Sequence, residues 1–167
     1  MKRAWPMVLL LSLSVLSIAA RSPRVRPQSD HMADLVQLAA KRSPTVAGLL
    51  KMIEASDVIL QVEFRLDNTV PRAATQLVTS AGLVRYVRTY INPRLPTRRR
   101  IELLGHELQH VVEIATDPSV RDDASMRARF TAIGWVSDGA ASYETAAAIA
   151  VERQVRNELS APGTRRP

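Results

Sequence analysis

The sequence predicts an α+β protein in which a small antiparallel sheet packs against a histidine-bearing helix and a C-terminal helix. Three observations lead there. Residues 58–91 are rich in β-branched and alternating segments broken by turn signals. Residues 97–115 carry apolar side chains at helical period. Residues 142–159 repeat that period after an Asp138-Gly139 turn. At 167 residues the chain has the length of one domain, enough to bury a core without staples.

Taken in order, Lys2 and Arg3 precede an apolar run over 7–20 that closes on small residues, with Ser17 and Ala19 or Ile18 and Ala20 at the cleavage-site positions. This predicts a secretory signal peptide over 1–20 and a secreted or periplasmic protein. The run is short against the roughly 20 apolar residues of a membrane span, and an uncleaved anchor is the alternative. The chain has no cysteine, which excludes disulfides, thiolate metal sites and a lipid-modified N-terminus. Residues 21–32, dense in Pro, Ser and Arg, are expected to be a disordered linker. One folded domain is expected over 33–160 and a flexible tail over 161–167.

Within that domain a first helix is expected over 34–41. Ser43-Pro44 then offers an N-cap followed by proline at the first helical position, opening a helix to about residue 55. Residues 58–66 have strand composition, and Asp67-Asn68 is a turn signal. Segments 74–79 and 83–91 form two further strands joined around Ser80-Ala81-Gly82. Pro93 and Pro96 end the sheet. Helices follow over 97–115 and 119–133, the latter with Asp122 and Asp123 placed to favour the helix dipole, and then over 142–159.

The formal charge is +7, and removing Lys2 and Arg3 with the signal leaves 7 − 2 = +5. The excess sits in the arginines just after the signal and in Arg98, Arg99 and Arg100. These are expected to be solvated surface. A nucleic-acid site would interleave aromatics, and aromatics are only 4% of the chain, so no nucleic-acid partner is expected. The N-terminal arginines are suited to weak contact with anionic lipid head groups. A basic nucleic-acid or membrane-surface module would rest on Arg98, Arg99 and Arg100 alone, and would bind in a salt-sensitive way without metal.

The chemistry concentrates in Gly105-His106-Glu107-Leu108-Gln109-His110. On a helix, Ile101, Leu104, Leu108, Val111, Val112 and Ala115 form one stripe, and Glu102, His106, His110 and Glu113 lie opposite. Leu103 and Ile114 extend the apolar surface, so the helix should be buried on most sides. Gly105 is expected where another backbone packs closely. The i, i+4 spacing stacks the two imidazoles so that their nitrogens can converge on one metal. Glu107 is turned aside, where it can reach a metal-bound water without ligating the metal. From this composition the five-residue pattern is expected by chance about 0.003 times, which sets it apart from an accidental pair of helix histidines.

The stretch IELLGHELQHVVEI resembles the active-site helix of zincin metallopeptidases, and the order of sheet, motif helix and later helix is similar to a minimal zincin-like layout. The resemblance implies bound Zn2+, Glu107 as general base for a zinc-bound water, and a peptide or protein substrate. Catalytic zinc takes three protein ligands and one water. His31, at the linker's edge, is expected on the surface. The metzincin pattern is not met: it needs Gly at 113 and His or Asp at 116, where this chain has Glu113 and Thr116. Glu113 lies too far along the axis for easy convergence; it either orients a histidine or is solvated. In the last helix Glu144 shares an apolar stripe with Ala148, Val151, Val155 and Leu159, and a carboxylate there needs a metal or a buried arginine. By resemblance to gluzincins, whose downstream helix supplies a glutamate, the implied metal set is His106, His110 and Glu144. Tyr143 is read as a core or rim aromatic, with donation to an oxyanion as its alternative, and Glu152 as a polar-edge residue. A non-catalytic zinc-binding protein on the same scaffold is the competing reading.

Overall fold

The computed structural model describes residues 22–66, 72–136 and 143–161. The expected signal segment, both turn signals at Asp67-Asn68 and Asp138-Gly139, and residues 162–167 of the tail lie outside the described residues. The fold is α+β, with five helices, a four-stranded sheet and a two-stranded ribbon among the described residues. No helix among them is long and apolar enough to cross a membrane.

The chain opens with β1 (Val25–Pro27), α1 (Asp30–Arg42) and α2 (Pro44–Glu54). The expectation of a disordered linker over 21–32 is therefore corrected. Its Arg-Pro composition hides a short strand, fixed by the Glu54 carboxylate, which accepts from the amides of Arg24 and Val25 at 2.9 and 3.0 Å. Ser29 caps α1, which begins four residues before the expected start, and His31 is exposed in its first turn. Ser43 caps α2 and Pro44 takes its first position, as the sequence predicts.

Next come β2 (Val58–Phe64), β3 (Ala73–Ala81) and β4 (Val84–Ile91), in sheet order β1-β2-β4-β3. The sheet is mixed, which corrects the antiparallel expectation: β1–β2 and β2–β4 are parallel, and only β3–β4 is antiparallel. The reason is connectivity. Two helices cross over between β1 and β2, and such a crossover returns the chain in the same direction. The β3–β4 hairpin closes through Gly82 at φ 57, a conformation that glycine adopts without steric penalty. Val58, Leu60, Val62, Leu77, Val87 and Ile91 point to the helices and are buried.

Helix α3 (Thr97–Ala115) has the predicted bounds. It packs against α2, against β3 and β4, and most extensively against the last helix. Every residue from Ile101 to Leu108 is buried, and so is every residue from His110 to Ile114. Gly105 answers to side chains rather than to a backbone: a Cβ there would lie 2.8 Å from Val155 Cγ2. Then follow α4 (Asp123–Ile133), opened by an Asp122–Ser125 capping box, β5 (Gly134–Val136), β6 (Tyr143–Thr145) and α5 (Ala146–Ser160). The last helix starts at Ala146, not at 142, because Thr145 is its N-cap. Glu144 thus lies on a strand and not on a helical stripe.

Candidate metal centre

The motif helix buries charge that a helix in a small core rarely carries. Glu102, His106, Glu107, His110 and Glu113 are each 5–7% exposed. Each has a different environment, and those environments divide the roles.

His106 and His110 face each other through Nε2 atoms 3.1 Å apart. The Glu144 carboxylate comes to 3.3 Å from His106 Nε2. One ligand atom from each of the three residues lies within 4.8 Å of the others. The sequence-implied metal set is therefore brought together, although the route to Glu144 differs from the expected one. It is delivered by the β5–β6 ribbon, paired opposite Trp135. Gly134 permits this: a Cβ there would lie 2.1 Å from the Glu144 carbonyl oxygen. Paired residues share one face of a ribbon, so the half-exposed Trp135 stands beside Glu144.

The donor set can be tested against a metal. A carboxylate only accepts hydrogen bonds, so the contact of His110 Nδ1 with Glu113 Oε2 at 2.9 Å fixes the proton on Nδ1. In the neutral imidazole His110 Nε2 is then the acceptor nitrogen, aimed at His106. At zinc–nitrogen and zinc–oxygen lengths of about 2.0–2.1 Å, tetrahedral ligand atoms lie about 3.3 Å apart. The two separations from His106 Nε2, 3.1 Å to His110 and 3.3 Å to Glu144, match that spacing, and the three atoms together lie within a looser 4.8 Å. Two imidazoles and a carboxylate also form a donor set that zinc accepts.

Protonation follows from burial and neighbours. Burial, helped by the charge on His110, pushes His106 down to about 4. For His110, burial opposes charge, but the Glu113 hydrogen bond and the carboxylates of Glu107, Glu113 and Glu144 outweigh it and raise the group. Burial raises Glu144 as well. It also pushes the Glu107 carboxyl up to about 7, against the opposing influence of His110 and of a hydrogen bond from Thr75.

Glu107 points toward the sheet. Thr75 Oγ1 on β3 donates to its Oε2 at 2.8 Å and lies 2.9 Å from Thr89 Oγ1 on β4. Each hydroxyl has one hydrogen, so Thr89 donates to Thr75 and Thr75 to the ionised Glu107. Thr75 escaped the sequence reading because only the register of β3 brings it to the motif helix.

Three further groups complete the surroundings. Glu113 is the orienting carboxylate of the two alternatives, since it is buried and bonded to His110. Glu152, expected at a polar edge, has an oxygen 3.4 Å from His106 Nδ1 while Arg99 and Arg156 donate to it at 2.6 and 2.7 Å. Arg98 and Arg99 are tied to Glu102 at 3.1 and 3.0 Å, so this part of the arginine run is an ion-pair network and not free surface. Arg100 stands over Phe64 at 5.5 Å. Tyr143 stacks on Phe130 at 5.8 Å, and Phe130 meets His110 edge-on at 5.4 Å, which is the role of a packing aromatic.

No family model, no curated protein and no solved structure matches this chain.

Proposed function

We propose that this protein is a secreted zinc-dependent hydrolase of the zincin metallopeptidase type, acting on peptide bonds. The observation that carries the reading is the convergence of His106, His110 and Glu144, with the Glu107 carboxylate buried on the same helix. Zinc held there would supply Lewis acidity and acidify a bound water. Glu107 serves as the proton carrier. Its carboxylate is buried on the motif helix, one residue from His106, and Thr75 fixes one of its oxygens. Glu113 holds the proton of His110 on Nδ1, which leaves Nε2 free for the metal.

The sheet supports a peptide substrate. Strand β3 has a neighbour on one side only within the four-stranded sheet, and it carries Thr75 next to Glu107. An extended peptide added along that edge would pass the candidate centre. Trp135, half exposed beside Glu144, would offer it an apolar contact. Burial of both histidines also suits a non-catalytic zinc. The Glu144 side chain, 29% exposed, favours a centre open on one side.

The test is metal content and peptidase activity on purified variants. Wild type is expected to carry one zinc per chain, and His106→Ala and Glu144→Ala to lose it. Glu107→Gln should keep zinc and lose about 10²–10⁴-fold in turnover of a broad peptide library. Zinc retained by Glu144→Ala would remove that residue from the ligand set. A zinc-loaded wild type that cleaves none of the library would favour the non-catalytic reading.

A further inference from the structure

Thr145 follows the third ligand directly, and its hydroxyl makes two bonds that lead in different directions. Its oxygen accepts from the amide of Ala148 at 3.0 Å, which caps α5. Its hydrogen goes to Glu113 Oε1 at 2.7 Å. The other oxygen of Glu113 accepts from His110 Nδ1 at 2.9 Å. Thr145 is 2% exposed and Glu113 7%, so little water competes for these bonds.

We propose that Thr145 is a positioning residue that locks the third ligand, Glu144, to the second, His110, through Glu113. This deepens the zinc reading above and rests on it. Among the described residues the ribbon that carries Glu144 is three residues long on each side, and two-stranded ribbons hold little stability of their own. Thr145 attaches the ribbon to the motif helix one residue from the ligand. The same bond, with a longer one from Gln109 Nε2 at 3.5 Å, holds Glu113 in place as acceptor for His110, so this hydroxyl bears on the position of one ligand and the tautomer of another. A cap alone needs only an acceptor, which Ser, Asp or Asn would supply equally. The bond to Glu113 needs a donor, which an ionised Asp lacks. This difference separates the two roles of the residue.

The experiment compares wild type, Thr145→Ser, Thr145→Asp and Thr145→Val. Zinc affinity is read by competition with a chromophoric chelator, and geometry by the visible spectrum of the cobalt(II)-substituted protein. Folding is followed by circular dichroism. Thr145→Ser keeps donor and acceptor and should bind zinc within about threefold of wild type. Thr145→Asp keeps the cap but sets a carboxylate against Glu113, and should lose about 10–100-fold in affinity with an altered cobalt spectrum. Thr145→Val should show at least the same loss. A folded Thr145→Asp with wild-type affinity and spectrum would reduce Thr145 to a helix cap and overturn the inference while leaving the zinc reading intact. A wild type that binds neither zinc nor cobalt would overturn the zinc reading itself, and the inference with it.

Discussion

At its C-terminal end α3 meets a buried arginine; at its middle it meets a group of histidines and carboxylates. Both regions bury charge in one small core, and they differ in how it is satisfied. Arg85, 1% exposed, lies against the last turn of the helix. Its guanidinium donates to the carbonyls of Ile114, Ala115 and Asp117 at 2.6, 2.9 and 2.7 Å and to both oxygens of Asp57 at 2.9 and 2.6 Å. Positive charge stands where the helix dipole is negative, and carbonyls left over by the helix end are taken up. The central group is incomplete by the same accounting. His106 Nδ1 is buried without a hydrogen bond, and the two Nε2 atoms face each other with one of them a bare acceptor. A buried polar cluster that closes on its own groups holds a fold together. One that sets two imidazole nitrogens and a carboxylate together and leaves a buried ring nitrogen unpaired is shaped for something added.

The strongest way to break this contrast is at Arg85. Arg85→Ala removes the donor to the carbonyls of Ile114, Ala115, Asp117 and Val120 and to Asp57, and should cost about 3–5 kcal/mol in urea unfolding of the metal-free protein. A loss under 1 kcal/mol would mean that the closed cluster is not structural. The same measurement on Glu107→Gln should move the other way. At pH 8, above its raised pKa of about 7, Glu107 is a buried charge with one hydroxyl bond from Thr75. Replacing it with a neutral isostere should raise the stability of the metal-free protein by about 1–3 kcal/mol. Opposite signs would confirm that the two clusters answer to different demands. A loss at both positions would erase the distinction.

The contrast can be sharpened at the ribbon. Gly134→Ala sets a Cβ 2.1 Å from the Glu144 carbonyl oxygen, so β5 and β6 must separate and carry the third ligand with them. Zinc affinity should fall by about tenfold, equivalent to about 1.4 kcal/mol, in the chelator competition. Unchanged affinity would show that Glu144 is placed by something other than its ribbon.

What the sequence disclosed follows the range of the interactions involved. The motif helix was legible to its terminal residues because its apolar period is local. The Ser43-Pro44 start and the turn at Gly82 were legible for the same reason. The parallel pairings were not, since β1 and β2 are joined only after two helices and β4 inserts beside β2 from further along the chain. Glu144 illustrates both sides. The sequence singles out Glu144 and the structure places it beside the two histidines, yet the stripe that suggested it belongs to a helix that begins two residues later. Thr75, Glu152 and the second bond of Thr145 depend on tertiary register, and no spacing in the chain announces them. Thr145 left only a faint trace, as a hydroxyl residue before a run of alanines.

The finest distinction concerns pH. Burial raises the Asp57 carboxyl, but the hydrogen bond and charge of Arg85 outweigh it, and the group is held below its ordinary 3.8. A depressed carboxyl contributes stability that is fully present above 3.8 and is lost as pH falls through the folded-state value. Asp57 is 34% exposed, so solvent screens the pair and the contribution is about 1 kcal/mol or less. Asp57→Asn cannot titrate. Its unfolding midpoint, followed by circular dichroism in chelator from pH 6 down to pH 2, should fall less steeply below pH 4 than that of wild type. Parallel curves would mean that Arg85 is held by the helix carbonyls alone, and that the closed cluster needs no counter-charge.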